Sequence, residues 1–586
     1  MIRSISGLIN LIKSITLLFE LYPKKFLIII FFLLTLVASI AEIATISSLL
    51  PLVDLLVENN NYSDSKYIKY LISFFKVGES NSKILLLIVF TGLIVFTYII
   101  KILIILVNSY LNHQIAFYIH NNVFKKILNQ NYDYFINSNT GDILGSIEKV
   151  ESIRNIVFSL LNLFMSIILA SSIIVLLFVV DFMNSSILFI LIGVVYLSMY
   201  FLSKRKLTDI SFLQAKIIDK KYKIFLEFKQ NIKEIILRNL DNYIFDKQFN
   251  IFLSLRNSRI SAERITHIMT QTSVFIFTLA IITVLFFLIT LKTNLNTNAP
   301  IIIFYIVAIQ RLVPHVQNIY NSLVSGIKLP QYSVKDVLNI LDLPDQRIID
   351  HAKHTKEKIH INSEVSLKNL KFSHYQSPDV LFQNTNLNFK IGKIYGLTGM
   401  SGAGKTTFLD IFMGLLKMNS GDFLIDETRI NIFNNPHWQN LICYVPQNSI
   451  LTDGTFIENI CYGEDLNKID KDYMNDCANK ALCLDFINNR KEGFNTQIGE
   501  GGSKISGGQK QRLLIARALY SRKPVLLLDE ATNAIDKETE YKIFQNLENI
   551  KKDKIIIVIA HNAEVRSFFD LIYNFENKII NPIKLK

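Results

Sequence analysis

Between residues 26 and 328 long apolar runs alternate with polar stretches, and each run is long enough to cross a hydrocarbon core of about 30 Å as a helix. Six runs predict six spans, at 26–53, 84–111, 155–180, 186–203, 268–291 and 300–328. Ahead of them, residues 4–21 repeat apolar positions at helical spacing and stop at Pro23, which predicts an amphipathic helix on the cytoplasmic membrane face. Residues 113–154 and 204–267 are polar but keep apolar positions at helical spacing. The spans are therefore expected to continue as long intracellular hairpins. The stretch 67–77, YIKYLISFFKV, reads either as an interfacial helix on the outer side or as a packed loop helix. Residues 343–360 lose periodicity and gain charge, which marks a linker, and a soluble α/β domain is expected over 361–586.

Charge orients the spans. Residues 58–83, 181–185 and 292–299 together carry five Lys/Arg, whereas 113–154 carries four and 204–267 fourteen, so the latter two face the cytoplasm. A chain of 586 residues that is 50% hydrophobic and only 19% charged, with the apolar content concentrated before residue 330, is a membrane protein with a soluble C-terminal part. The net charge of +13 then reflects basic loops facing anionic lipid, and no nucleic-acid partner is expected. Cys443, Cys461, Cys477 and Cys483 all lie in the soluble part without a C-x-x-C pair, as reduced core thiols. No small-residue cleavage site ends the first apolar stretch, so no removable leader is expected.

The candidate chemistry is concentrated in the soluble part. GMSGAGKTT, residues 399–407, stands between the apolar run KIYGLT and the helix-patterned FLDIFMGLL. Gly399, Ser401, Gly402 and Gly404 would let the backbone wrap phosphate oxygens, and Lys405 supplies a charge. Thr406 would hold Mg²⁺ through its hydroxyl, with Thr407 beside it. ISGGQKQR, residues 505–512, is a second glycine-bearing turn opening a helix. VLLLDE, residues 525–530, reads as a buried strand ending in two carboxylates. Asp529 would support Mg²⁺ and Glu530 would polarise an attacking water. IIIVIAH ends another apolar strand at His561, placed to contact a γ-phosphate.

In this order the elements resemble the nucleotide-binding domain of ABC transporters over its whole length. The resemblance implies ATP and Mg²⁺ as cofactors and ATP hydrolysis coupled to transport. Gln447, in YVPQ, joins Glu530 and His561 as a catalytic residue and Thr406 and Asp529 as a metal contact. It also implies a head-to-tail homodimer, since the chain holds one such domain: residues 399–407 of one copy and Ser506, Gly507, Gly508 and Gln509 of the other would sandwich ATP. Asp536 matches the loop that crosses the dimer interface, Glu500 precedes the signature turn, and Tyr375 would stack on adenine, with His374 as the alternative. Ile505, Asn533, Ile535 and Asn562 depart from the family's usual Leu, Ser, Leu and Arg. The fold class implied is an all-α six-helix transmembrane domain of the type I exporter kind, residues 1–342, followed by an α/β P-loop ATPase domain.

Residues 131–153 resemble the exporters' first intracellular helix pair, including the turn that docks on the ATPase domain. Charged groups within spans are functional candidates because burying them is costly. Glu42, Arg311 and His315 are the candidate substrate contacts. Lys101 is expected to snorkel to the inner interface, and an Arg311–Glu42 ion pair is the alternative to a role in cargo binding. Residues 41–56 and 308–323 resemble the first and sixth spans of bacterial flippases for lipid-linked oligosaccharides in protein glycosylation. The resemblance implies export of a polyprenyl-pyrophosphate glycan across the inner membrane. A general lipid or multidrug exporter, and an ATP-gated channel without turnover, are the alternatives.

Overall fold

The computed structural model describes residues 22–56, 82–180, 182–290, 295–347, 359–373, 380–448, 450–560, 562, 564–576 and 578–583. The amphipathic helix expected at 4–21 and the outer helix at 67–77 lie outside the described residues. The chain divides into two compact units, Met1–Gln130 with Ser138–Asp345, and Asn131–Asn137 with Gln346–Lys586.

The first unit is helical. Helices Lys25–Ser47 and Leu49–Leu56, Ser82–Leu128, Thr140–Val180, Phe182–Gln230, Asp241–Thr290 and Leu295–Asn321 carry the six expected spans. Five helices among the described residues are long and apolar enough to cross a membrane. The remaining expected span, 268–291, falls on Asp241–Thr290, whose last side chains lie largely outside the described residues. At about 1.5 Å per residue, the 47 residues of Ser82–Leu128 reach roughly 70 Å, more than twice the hydrocarbon thickness, so the hairpins expected beyond the membrane are present.

Backbone chemistry explains why helices serve here. Every main-chain polar group in hydrocarbon must be satisfied within the segment. Hydroxyls obey the same constraint: Thr35, Ser39 and Thr45 donate to the carbonyls of Phe32, Leu36 and Ala41 at 2.7, 2.8 and 2.7 Å. Large apolar side chains such as Ile29, Leu33, Ile40, Val95 and Ile102 stay exposed on the helix surfaces, as lipid-facing positions require. The last span carries Pro314, which has no N–H to donate, and it ends in a π-helical stretch, Ser322–Lys328.

Beyond the expected membrane boundary, Lys149 is 2% exposed and binds two carboxylates from other helices, Asp219 at 2.8 Å and Asp336 at 2.6 Å. This cluster ties Thr140–Val180 to Phe182–Gln230 and to helix Gln331–Leu341. Burial lowers the Lys149 pKa, but its two carboxylate partners outweigh burial and hold it above the usual lysine value. The first residues of the expected linker are also fixed: the Leu343 carbonyl and the Asp345 carboxylate each accept from Lys126 at 3.0 Å.

The second unit carries two sheets. Strands β1 (Glu364–Ser373), β2 (Val380–Lys390), β4 (Ser420–Ile425) and β5 (Thr428–Arg429) form an antiparallel sheet in the order β2-β1-β4-β5. Strands β3 (Lys393–Gly399), β6 (Ile442–Val445), β7 (Val525–Asp529), β8 (Ile555–Ile559), β9 (Leu571–Glu576) and β10 (Ile579–Ile583) form the other, ordered β10-β9-β3-β8-β7-β6 and parallel except for β10. β7 and β8 are buried at every position, which is why both read as unbroken apolar runs rather than alternating ones. Phe389, Phe408, Phe412, Phe423 and Trp438 pack into one core, with the Trp438 indole donating to the Phe412 carbonyl at 2.7 Å. The short helix Tyr132–Asn137, at the tip of the first hairpin, groups with this unit, and Asn131 N–H donates to Gln346 at 3.2 Å.

Candidate nucleotide-binding site

Parallel order brings the carboxyl ends of β3, β8, β7 and β6 side by side, the edge at which open α/β sheets bind ligands. After β3 the chain turns through residues 399–404 into helix Lys405–Phe412. Gly399, at φ +149°, lies so close to the next strand that a Cβ would stand 2.7 Å from the Phe575 carbonyl oxygen. Gly404, at φ +94°, caps the helix in the left-handed region, and a Cβ there would meet Leu381 and Phe382 at 2.9 Å. Ser401 and Gly402 are exposed on the loop, and in the first turn of the helix Thr406 is exposed and Thr407 half-buried. Lys405 is 7% exposed, and its ammonium donates to the carbonyls of Gly399 and Met400 at 2.8 and 3.1 Å. Burial lowers its pKa, against the opposing pull of Glu530 and Asp529. Beside the loop lies a groove of about 850 Å³ whose lining includes Leu381, Phe382, Arg566 and Asn574.

Asp529 ends β7 at 2% exposure, and its carboxylate accepts from the Tyr444 hydroxyl at 3.0 Å. Burial pushes the Asp529 carboxyl up, and hydrogen bonds from Tyr444 and Thr406 oppose that shift. Glu530 follows at φ +50°, a strained position for a side-chain-bearing residue, with its N–H on the Ile559 carbonyl at 3.1 Å. Its Oε2 accepts from the amides of Gln447 at 2.6 Å and Asn533 at 2.7 Å. Gln447 and Glu530, on loops 83 residues apart in sequence, are thus in direct contact.

Ser506 caps helix Gly507–Tyr520 in a reciprocal box: its hydroxyl accepts from the Gln509 N–H at 3.3 Å, and the Gln509 side chain accepts from the Ser506 N–H at 3.1 Å. Gly507 and Gly508 open that helix. Asp536 caps Lys537–Ile550 through the Thr539 N–H at 2.9 Å, so it has a structural task within its own chain. Asn562, standing where the family usually has Arg, donates to Glu540 at 2.7 Å, and Glu540 also accepts from Thr532 at 2.6 Å. His561, Tyr375 and His374 lie outside the described residues.

Sequence reasoning did not single out Tyr444 or Asp410. Tyr444 sits in the quoted YVPQ, where its approach to Asp529 depends on the pairing of β6 with β7. Asp410, one turn into the helix after the loop, is pushed up to about 6 by burial, with the Asp529 charge adding to it. A carboxyl raised on folding favours its protonated form. The stability it contributes is therefore present below its ordinary value of 3.8 and lost as pH rises through about 6. Asp410→Asn is expected to stabilise the chain at pH 7 to 8, on the order of 1 to 2 kcal/mol once partial exposure is discounted, and to flatten the pH dependence between the ordinary value of 3.8 and about 6. Thermal melts at stepped pH check this.

In the membrane the outcome differs from expectation at two residues. Lys101 does not snorkel away: its ammonium binds Glu42 at 2.9 Å, and Glu42 is 1% exposed. His315 approaches the other oxygen of Glu42 at 3.6 Å. An isolated carboxylate at this depth would be too costly, and Lys101 is the cation that the packing of Lys25–Ser47 against Ser82–Leu128 brings to it. The Arg311–Glu42 pair is correspondingly not formed. The Arg311 guanidinium instead lies over the Tyr98 ring, 5.6 Å from its centroid.

A helical unit long and apolar enough to span a membrane, joined to a parallel-sheet unit with a phosphate loop and an adjacent carboxylate pair, defines a membrane-embedded P-loop ATPase. A family profile described as "ABC transporter" matches residues 382–533, and one described as "ABC transporter transmembrane region" matches residues 28–313. The chain belongs to the ABC transporters, as a half-transporter with one membrane domain and one ATPase domain. It is 27% identical over 491 residues to an ATP-dependent lipid A-core flippase of Wigglesworthia glossinidia brevipalpis, covering 80% of this chain and 81% of that one. A protein of the same description from Aliivibrio fischeri is 36% identical over 207 residues, 35% of each chain. The structure of a bacterial Atm1-family ABC exporter with ATP bound superposes with a TM-score of 0.77 at 18% identity, covering 96% of this chain and 95% of that one, so the fold is that of an ABC exporter. This is a multi-pass membrane exporter with a cytoplasmic ATPase domain that hydrolyses ATP to drive transport.

Proposed function

We propose that two copies of this chain form a flippase that moves a phosphate-bearing lipid from the inner to the outer leaflet of the bacterial inner membrane, and that its headgroup is a pyrophosphate-linked oligosaccharide on a polyprenyl carrier. The observation that carries the phosphate is Arg311. Lys101 and His315 take up Glu42, no carboxylate pairs with Arg311 among the described residues, and a guanidinium within a span suits paired hydrogen bonds to phosphate oxygens. A lipid cargo is supported by the relatives named for lipid A-core. The oligosaccharide carrier rests on the resemblance of residues 41–56 and 308–323 to the protein-glycosylation flippases.

Homodimer formation is supported by one phosphate loop and one signature turn per chain, and by the apolar tip of the second hairpin. There Ile236 and Leu237 are 60% and 83% exposed, beside exposed Tyr243 and Phe245. ATP would lie between residues 399–407 of one copy and Ser506–Gln509 of the other. The Thr406 hydroxyl, the Gln447 amide oxygen and the Asp529 carboxylate are oxygen donors of the kind a hard divalent cation takes, and a cation would relieve the burial cost at Asp529. Held by these groups, Mg²⁺ would supply positive charge against the phosphate oxygens of ATP. Lys405 leaves its carbonyl partners for phosphate oxygens, Glu530 orients the attacking water, and His561 contacts the γ-phosphate. ATP binding closes the pair and hydrolysis resets it.

Arg311→Ala is expected to reduce flipping of a polyprenyl-pyrophosphate glycan in proteoliposomes by at least about tenfold, as loss of one charged hydrogen-bonding partner implies, while phosphate release continues. Equal transport by the variant and the wild type refutes the phosphate clamp and favours a broader exporter. Mass spectrometry of lipids co-purified with the protein separates the carriers: a polyprenyl-pyrophosphate sugar supports this reading, whereas a lipid A-core glycolipid aligns the cargo with the relatives.

A further inference from the structure

We propose that a groove at the cytoplasmic end of the spans, between helices Ser82–Leu128, Thr140–Val180 and Phe182–Gln230, docks the uncharged sugar portion of a glycolipid headgroup before it is flipped. The inference rests on the reading of the chain as a glycolipid flippase and adds a second, sugar-directed subsite to it.

The groove is open along one side and offers about 650 Å³, within the range of small-molecule sites. Its floor is written in two helical stripes. His113, Phe117, His120 and Asn121 recur on one face of Ser82–Leu128, and Leu144, Ile147, Glu148 and Glu151 on the facing side of Thr140–Val180. Tyr222 closes the third side. These positions begin two residues past the expected end of the second span, so at about 1.5 Å per residue the imidazole-bearing turn lies within roughly 15 Å of the hydrocarbon edge. A lipid whose tails occupy the inner leaflet holds its headgroup at this depth.

The lining chemistry selects for a sugar. Phe117 is 60% exposed and offers a ring face to the C–H side of a pyranose, and Tyr222, whose ring carries the Lys221 ammonium at 5.0 Å, adds its hydroxyl to the lining. Carboxylate, amide and imidazole groups around them accept from and donate to ring hydroxyls. Each carboxylate already has a cation: Lys221 binds Glu148 at 3.2 Å, and Arg154 binds Glu151 at 2.5 Å. The Tyr222 hydroxyl also bonds to Glu148, which pushes its pKa up to about 12. The lining therefore has little net charge to offer a phosphate, and that part of the headgroup must be held elsewhere, as Arg311 would hold it. The divided labour suits a ligand with a neutral glycan and a charged linkage.

Saturation-transfer NMR on the full chain in nanodiscs tests the site, with N-acetyllactosamine as a neutral disaccharide probe and inorganic pyrophosphate as the charged one. Wild type should transfer saturation to the disaccharide, pyrophosphate should not compete for it, and Phe117→Ala and Glu151→Gln should each weaken disaccharide binding about tenfold. Dimer elution and melting temperature establish that both variants are folded. No transfer in wild type, unchanged binding in both folded variants, or competition by pyrophosphate overturns the site. If glycolipid moves equally in wild type and both variants, the groove has no role and the flippase reading stands. If the disaccharide binds but no glycolipid is moved, the groove stands and the flippase reading falls.

Discussion

Glu530→Gln is expected to slow ATP turnover by about 10²- to 10⁴-fold while nucleotide still binds, the usual loss on removing a positioned general base. The side chain stands at the carboxyl end of β7, held at φ +50° by its N–H bond to Ile559. Glutamine keeps its shape and can still accept from Gln447 and Asn533, which hold the carboxylate at 2.6 and 2.7 Å. What it cannot do is draw a proton from water. Phosphate release measured alongside binding of a fluorescent ATP analogue separates the two effects. Wild-type turnover in the variant would remove Glu530 from the mechanism, whereas sustained turnover in the native protein alone would exclude a gate that only binds ATP.

The second large effect concerns the composite site. Homodimers of Lys405→Ala should lose about 1.5 to 3 kcal/mol of nucleotide binding, or roughly 10- to 100-fold, since Lys405 is the charged donor of the loop. Homodimers of Ser506→Ala should fail to trap ATP, because both the cap and the signature turn are disturbed. A mixed dimer with Lys405→Ala in one chain and Ser506→Ala in the other places both defects in the same site and leaves the opposite site whole. It should occlude one nucleotide per dimer. If it occludes none, the two residues do not act on one ATP across a head-to-tail interface.

Much of this site was readable before folding because its signals are local. A glycine-rich turn needs glycines at fixed spacing, and a strand buried on both faces must be apolar throughout, so residues 399–407 and 525–530 declare themselves. Tyr444 did not, since its partner Asp529 is 85 residues away and only strand pairing brings the two groups together. Asp536 shows the converse. Its motif announced an interface residue and said nothing of the helix cap that the same carboxylate makes within its own chain.

The membrane half divides in the same way. Hydropathy alone placed six apolar runs on helices, five of which are long and apolar enough to cross a membrane among the described residues, and helical spacing foretold their extension into hairpins. Which charges meet inside was decided by packing. Lys101 and Glu42 are 59 residues apart, and a lysine near a span end reads as snorkelling until the neighbouring helix presents a carboxylate at 2.9 Å. The sequence by itself determined the class of machine, a membrane domain coupled to a phosphate-loop ATPase, through periodicity and short motifs. Tertiary structure alone decided the partners of Glu42, the placement of Arg311 over Tyr98, the contact of Gln447 with Glu530 and the groove at His113 and Phe117, because each depends on which faces of distant elements are brought within a few ångströms.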